Sequence, residues 1–76
     1  MKNIIVLGAG MVGSTIAIDL TKTHKITLTD YSQEALNKAF KKCNKLSTQV
    51  LDVTDKSILQ KTIKSFDLVV CAVPGF

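Results

Sequence analysis

Seven residues into the 76-residue chain an aliphatic run breaks into Gly8, Gly10 and Gly13, spaced G-x-G-x-x-G, and a helical pattern follows at once. Few folds accommodate a buried strand that turns so abruptly into a helix. The first glycine permits the tight turn, the second leaves room for a phosphate group to approach the backbone, and the third lets helix and strand pack closely. Unpaired N–H groups of the first helical turn, near Met11 and Val12, then face the anion with the helix dipole behind them. The ligand this predicts is the pyrophosphate of a dinucleotide. The same residues also spell G-x-x-x-x-G-S-T, a phosphate loop in which Ser14 stands where the lysine belongs. Without that lysine nothing reaches the outer phosphates, and nucleoside triphosphate hydrolysis is not expected.

The alternation continues to the end of the chain. Residues 3–7 read as a buried strand, 11–22 as a helix and 25–30 as a strand. Residues 33–43 form a helix with Leu36, Ala39, Phe40 and Cys43 at i, i+3, i+4 and i+7, with Ser32 as its N-cap and Glu34 in its first turn. A weaker, more polar strand covers 46–51, and a helix over 55–65 buries Ile58, Leu59, Thr62 and Ile63, with Phe66 continuing the stripe. Residues 67–73, DLVVCAV, read as a fully buried strand. This βαβαβαβ order predicts an α/β fold, a Rossmann-type doubly wound parallel sheet in partial form with strand order 3-2-1-4. The first two helices then lie on one face and the third on the other. The polar third strand suits an outer edge. The fourth is a long apolar edge of the kind soluble proteins avoid, so the expectation is that the native protein continues past Phe76 or that another subunit covers this edge. Residues 1–76 are read as the N-terminal part of a dinucleotide-binding domain, with a catalytic domain elsewhere.

Composition narrows the partners. With 46% hydrophobic and 21% charged residues a folded core is expected, although a chain of this length buries only about 60% of the surface it exposes when unfolded. Ten Lys against six acidic residues give a charge of +4, which solvated helix faces explain better than a nucleic-acid surface, and 5% aromatics are too few for base stacking. Cys43 and Cys71 have neither CxxC spacing nor a nearby His partner, so both are read as reduced core thiols with no metal site. The glycines interrupt the apolar run after Lys2 and no small-residue cleavage site follows before Asp19, which argues against a signal peptide. No stretch approaches the roughly 18 to 20 apolar residues a membrane span needs. A cytoplasmic location, with no membrane or nucleic-acid partner, is expected.

Asp30 ends the second strand in LTD, 22 residues after Gly8 and 17 after Gly13, near the expected distance of about 20. There its carboxylate can accept hydrogen bonds from the adenosine ribose and would repel a 2′-phosphate. NAD is therefore favoured over NADP, and the absence of arginine agrees. Tyr31 lies beside the adenine or ribose, or is an exposed loop residue. Asp52 and Val53 follow the third strand at the same sheet edge, where the carboxylate can take a hydrogen bond from the adenine amino group while Val53 packs on the ring; alternatively Asp52 or Thr54 caps the third helix. Ala72, Val73 and Pro74 leave the fourth strand at the switch point and line the ribose and nicotinamide end of the cleft, unless Pro74 and Gly75 are plain loop breakers. His24, the single histidine, is explained by its place at a helix C-terminus. No paired carboxylates, nucleophile–base pair or metal constellation is present, so no catalytic residue is assigned.

The runs VLGAGMVGSTIAIDL, TLTDYS and QVLDVTDKSILQKTIKSFDLVVCAVPGF resemble the N-terminal part of the cofactor-binding domain of the saccharopine dehydrogenase family, which includes lysine dehydrogenases. GAGMVGST is also similar to lactate and malate dehydrogenases. The aspartate after the third strand, the full helix that follows and the V-P-G-F after the fourth strand discriminate. The resemblance implies oxidation at a carbon bearing an amine, with hydride passing to nicotinamide, a small amino-acid substrate held by a second domain, and a homo-oligomer. Asp30 departs from NADP-using saccharopine reductases and points to NAD-linked members. Two other classes compete. The nucleotide-sensing domains of potassium-transport regulators share the glycine motif and both acids and do no chemistry, but usually follow their fourth strand with Thr-rich sequence. A free-standing half-domain used for dimerisation is the third.

Overall fold

The computed structural model describes residues 2–73. Four parallel strands, β1 (Asn3–Leu7), β2 (Lys25–Asp30), β3 (Ser47–Val50) and β4 (Leu68–Cys71), form one sheet in the order β3-β2-β1-β4. Helices α1 (Met11–Leu20), α2 (Gln33–Lys42) and α3 (Lys56–Ile63) supply the crossovers. This is the predicted partial Rossmann-type sheet. Side chains alternate across a strand, and here both faces are apolar. Ile4, Val6, Ile26 and Leu28 pack with Ala17 of α1 and Leu36 and Ala39 of α2. Ile5, Leu7 and Leu51 lie on the opposite face, against Leu59, Ile63 and Phe66.

Local chemistry sets the element ends. The Ser32 hydroxyl accepts from Ala35 N–H, Glu34 sits in the first turn of α2 and Lys41 and Lys42 in its last, so both ends complement the helix dipole. α1 stops at Leu20 rather than residue 22 because the N–H groups of Lys22 and Thr23 bond three residues back, to Asp19 and Leu20, which tightens the chain out of the α-helix. Buried polar groups are paired: Thr29, fully buried, donates to the Val6 carbonyl at 3.0 Å.

Four expectations need correction. β4 is not fully buried: Leu68 is 50% and Val69 39% exposed, because among the described residues only β1 pairs with it. α3 buries none of its residues, and Ile58 is 50% exposed, since among the described residues α3 is the one helix on its face of the sheet. Phe40 of α2, at i+4 in the stripe that starts at Leu36, is not buried with it and stays 45% exposed. The cysteines are free thiols but not core residues; Cys43 is half-buried beside the Thr21 hydroxyl and Cys71 is exposed on the β4 edge.

Candidate functional site

Because the four strands are parallel, their carboxyl ends and the loops that follow share one edge of the sheet. Backbone hydrogen bonds extend the ladder into those loops. Gly8 N–H donates to the Thr29 carbonyl at 2.8 Å, Ala72 N–H to Leu7 at 2.8 Å and Leu51 N–H to Asp30 at 2.9 Å. The cleft they surround encloses about 700 Å³, within the usual range for ligand sites.

The three glycines that open α1 meet different constraints. Gly8 has φ +104°, a backbone conformation L side chains avoid, and a Cβ there would stand 3.1 Å from Val73 Cγ2 and 3.2 Å from the Ala72 carbonyl group. Gly13 lies so close to the Gly8 carbonyl oxygen that a Cβ would overlap it. Gly10 differs on both counts: its φ is −67° and a Cβ would meet nothing within 4 Å. Gly10 caps α1 without any side-chain hydrogen bond, and no acidic residue stands in the first turn. The first N–H to find a helical partner is that of Ser14, on the Gly10 carbonyl. The N–H groups of Met11, Val12 and Gly13 precede it, as the first N–H groups of a helix do, and all three residues line the cleft.

The cleft brings together Gly8, Gly10, Met11, Val12, Gly13, Asp30, Tyr31, Asp52, Val53, Ala72 and Val73. Pro74, expected beside them, lies outside the described residues. Asp30 is partly buried and held twice, Oδ2 accepting from Ala9 N–H at 2.8 Å and Oδ1 from Ser32 N–H at 2.9 Å. Met11 (88% exposed), Val12 and Tyr31 (80%) present apolar surface around the mouth. Asp52 folds a tight turn in which Oδ1 accepts from both the hydroxyl and the N–H of Thr54, at 2.6 and 2.9 Å. The Thr54 hydroxyl, and secondarily its N–H, holds the Asp52 carboxyl below the usual carboxylate range. Neither Asp52 nor Thr54 caps α3: that cap is Asp55, whose carboxylate accepts from Ile58 N–H.

Leu51 and Thr54 also line the cleft and were not assigned from sequence. Leu51 ends the third strand segment expected over 46–51, and Thr54 closes the Asp52 turn, a D-x-T spacing that marks such turns. His24 sits apart, at the amino end of the sheet, where Nδ1 accepts from Lys2 N–H at 3.3 Å. Among the described residues no group of three or more His, Cys, Asp or Glu could hold a metal ion, and no helix is long and apolar enough to cross a membrane.

The fit to a dinucleotide follows from this donor set. Backbone N–H groups at a helix start can take a pyrophosphate, the open space over Gly10 leaves room for one, and the Asp30 carboxylate at the end of β2 has the chemistry to accept from hydroxyls.

No curated protein matches the sequence. Among solved structures, saccharopine dehydrogenase (L-Glu forming) from Saccharomyces cerevisiae superposes with a TM-score of 0.82 and 28% identity, over 97% of this chain and 17% of that one. A 3-hydroxyacyl-CoA dehydrogenase from Archaeoglobus fulgidus superposes with a TM-score of 0.77 and 27% identity, over 96% of this chain and 25% of that one. The chain thus spans a quarter or less of the length of either. The family described as saccharopine dehydrogenase NADP binding domain matches residues 4–76. Glycine loop, strand order and the match over residues 4–76 agree: the chain belongs to the saccharopine dehydrogenase NADP-binding domain family.

Proposed function

We propose that this chain is the cofactor-binding portion of an amino-acid dehydrogenase of the saccharopine or lysine dehydrogenase type. The observation that carries the cofactor reading is Gly10. Neither φ nor packing requires glycine there, so its missing side chain serves a group that comes from outside. Met11, Val12 and Gly13 N–H groups receive the pyrophosphate, Asp30 the adenosine ribose, and Asp52, Val53 and Tyr31 the adenine. Ala72 and Val73 line the ribose and nicotinamide end. When bound, the nicotinamide supplies the hydride acceptor or donor, for a carbon–nitrogen centre of a small amino acid held by a second domain.

The family description refers to NADP. We favour NAD for this chain, because Asp30 lines the cleft and its carboxylate would repel a 2′-phosphate, and because the sequence has no arginine to receive one. The free thiols fit a cytoplasmic setting. The half-exposed β4 edge supports further burial there, by additional chain or by a second copy in a homo-oligomer.

Titration calorimetry with NAD and NADP tests the cofactor. Tighter binding of NAD is expected; an equal or reversed ratio defeats the preference, and no binding of either defeats the dinucleotide reading. Reduction of NAD in the presence of lysine or saccharopine by the full-length protein tests the reaction.

A further inference from the structure

A carboxylate that only met ribose would need no contact with the glycine loop. Asp30 nevertheless bonds to three loops at once. Oδ2 accepts from Ala9 N–H in the β1–α1 loop at 2.8 Å, Oδ1 accepts from Ser32 N–H ahead of α2 at 2.9 Å, and its main-chain carbonyl accepts from Leu51 N–H after β3 at 2.9 Å. Ala9, between the first two glycines, is 7% exposed and packed in the core that α1 and α2 share. Its N–H is therefore directed at Asp30 rather than at the anion site. Each carboxylate oxygen keeps further lone-pair capacity, so the same group can still receive a ribose hydroxyl from the cleft.

We infer that Asp30 is a positioning residue for the glycine loop as well as the ribose acceptor: its carboxylate latches Ala9 and thereby holds the N–H groups of Met11, Val12 and Gly13 in their phosphate-facing arrangement. The ligand side of this inference rests on the dinucleotide reading; the latch itself does not. A consequence separates the two roles. Substituting Asp30 to admit a 2′-phosphate weakens both dinucleotides, because the loop that holds the pyrophosphate loosens. Asparagine does not restore the latch fully, since its amide nitrogen cannot accept from either N–H.

Amide hydrogen exchange on the full chain, wild type and Asp30→Ala, tests the latch without ligand. Exchange at Ala9 is expected to accelerate about tenfold or more, while Gly8, whose N–H goes to the Thr29 carbonyl, stays within about threefold. Unchanged exchange at Ala9, or equal acceleration at both, would overturn the inference, the second outcome marking general loosening. Asp30→Leu, which keeps the side chain's size and carries no acceptor, is expected to accelerate exchange at Ala9 as Asp30→Ala does; if Asp30→Ala does not fold, unchanged exchange at Ala9 in Asp30→Leu overturns the latch. An NAD analogue lacking the adenosine 2′- and 3′-hydroxyls then removes the ribose contact. It should bind Asp30→Ala about tenfold more weakly than wild type, and equal affinity would show that Asp30 acts through ribose alone. Wild type binding neither cofactor would count against the functional reading, and the exchange result would still decide the latch.

Discussion

Built onto Gly13, a Cβ would run into the Gly8 carbonyl, whereas one built onto Gly10 would meet nothing within 4 Å. Stability and binding therefore separate at these two positions. Gly10→Val is expected to cost about 1 kcal/mol of stability or less and to lower NAD affinity at least tenfold by filling the pyrophosphate position, read by a thermal melt and a binding isotherm on the same sample. Gly13→Ala should instead cost stability first, about 3 kcal/mol through overpacking against the Gly8 carbonyl. Asp52 gives a pH signature. Its folded-state pKa lies below the ordinary value of 3.8, so its contribution to stability is present above that value and is lost as pH falls through the depressed one. The melting-temperature gap between wild type and Asp52→Ala should hold constant from pH 8 to 5 and close below about pH 3.8. A gap that widened in acid would reverse the sign argued here.

The helices differ in what holds them. α2 buries Leu36 and Ala39 and has its cap, while α3 buries nothing and depends on Asp55 at its start. Replacing a capping residue with alanine costs about 1 kcal/mol. In α2 the packed face should absorb Ser32→Ala as a small fall in global stability. In α3 the loss from Asp55→Ala should appear first as local opening, with faster amide exchange confined to 58–63 while β1 stays protected. Equal exchange increases in α3 and β1 would mean that α3 is tied to the core more firmly than its exposure indicates. The same contrast shows what periodicity conveys. Ile58, Leu59, Thr62 and Ile63 give the stripe of a packed helix, and Leu59 and Ile63 do pack against the sheet, but depth of burial depends on how much else covers that face.

At the scale of the molecule, two apolar sheet faces and an exposed β4 edge leave Leu68 and Val69 half in solvent. Such an edge, with unpaired backbone groups and apolar side chains, favours pairing with another chain. Sedimentation of the chain should show concentration-dependent association that Val69→Lys reduces; association unaffected by that change would place the contact elsewhere. The order of elements, the strand order and the division of helices between faces were legible in the sequence, because alternating apolar runs and right-handed crossovers leave few topologies. The glycine loop and Asp30 were legible as well, since turn geometry and spacing along one βαβ unit fix them. Residues contributed by later loops, Leu51 and Thr54, were not, and neither was the bond from Ala9 to Asp30, which joins groups 21 residues apart. The sequence by itself determined local conformation and which side chains prefer burial, as both follow from backbone sterics and periodicity. Only the tertiary structure decided how deep each lies and which polar groups meet, because burial and long-range hydrogen bonds depend on what every other element covers.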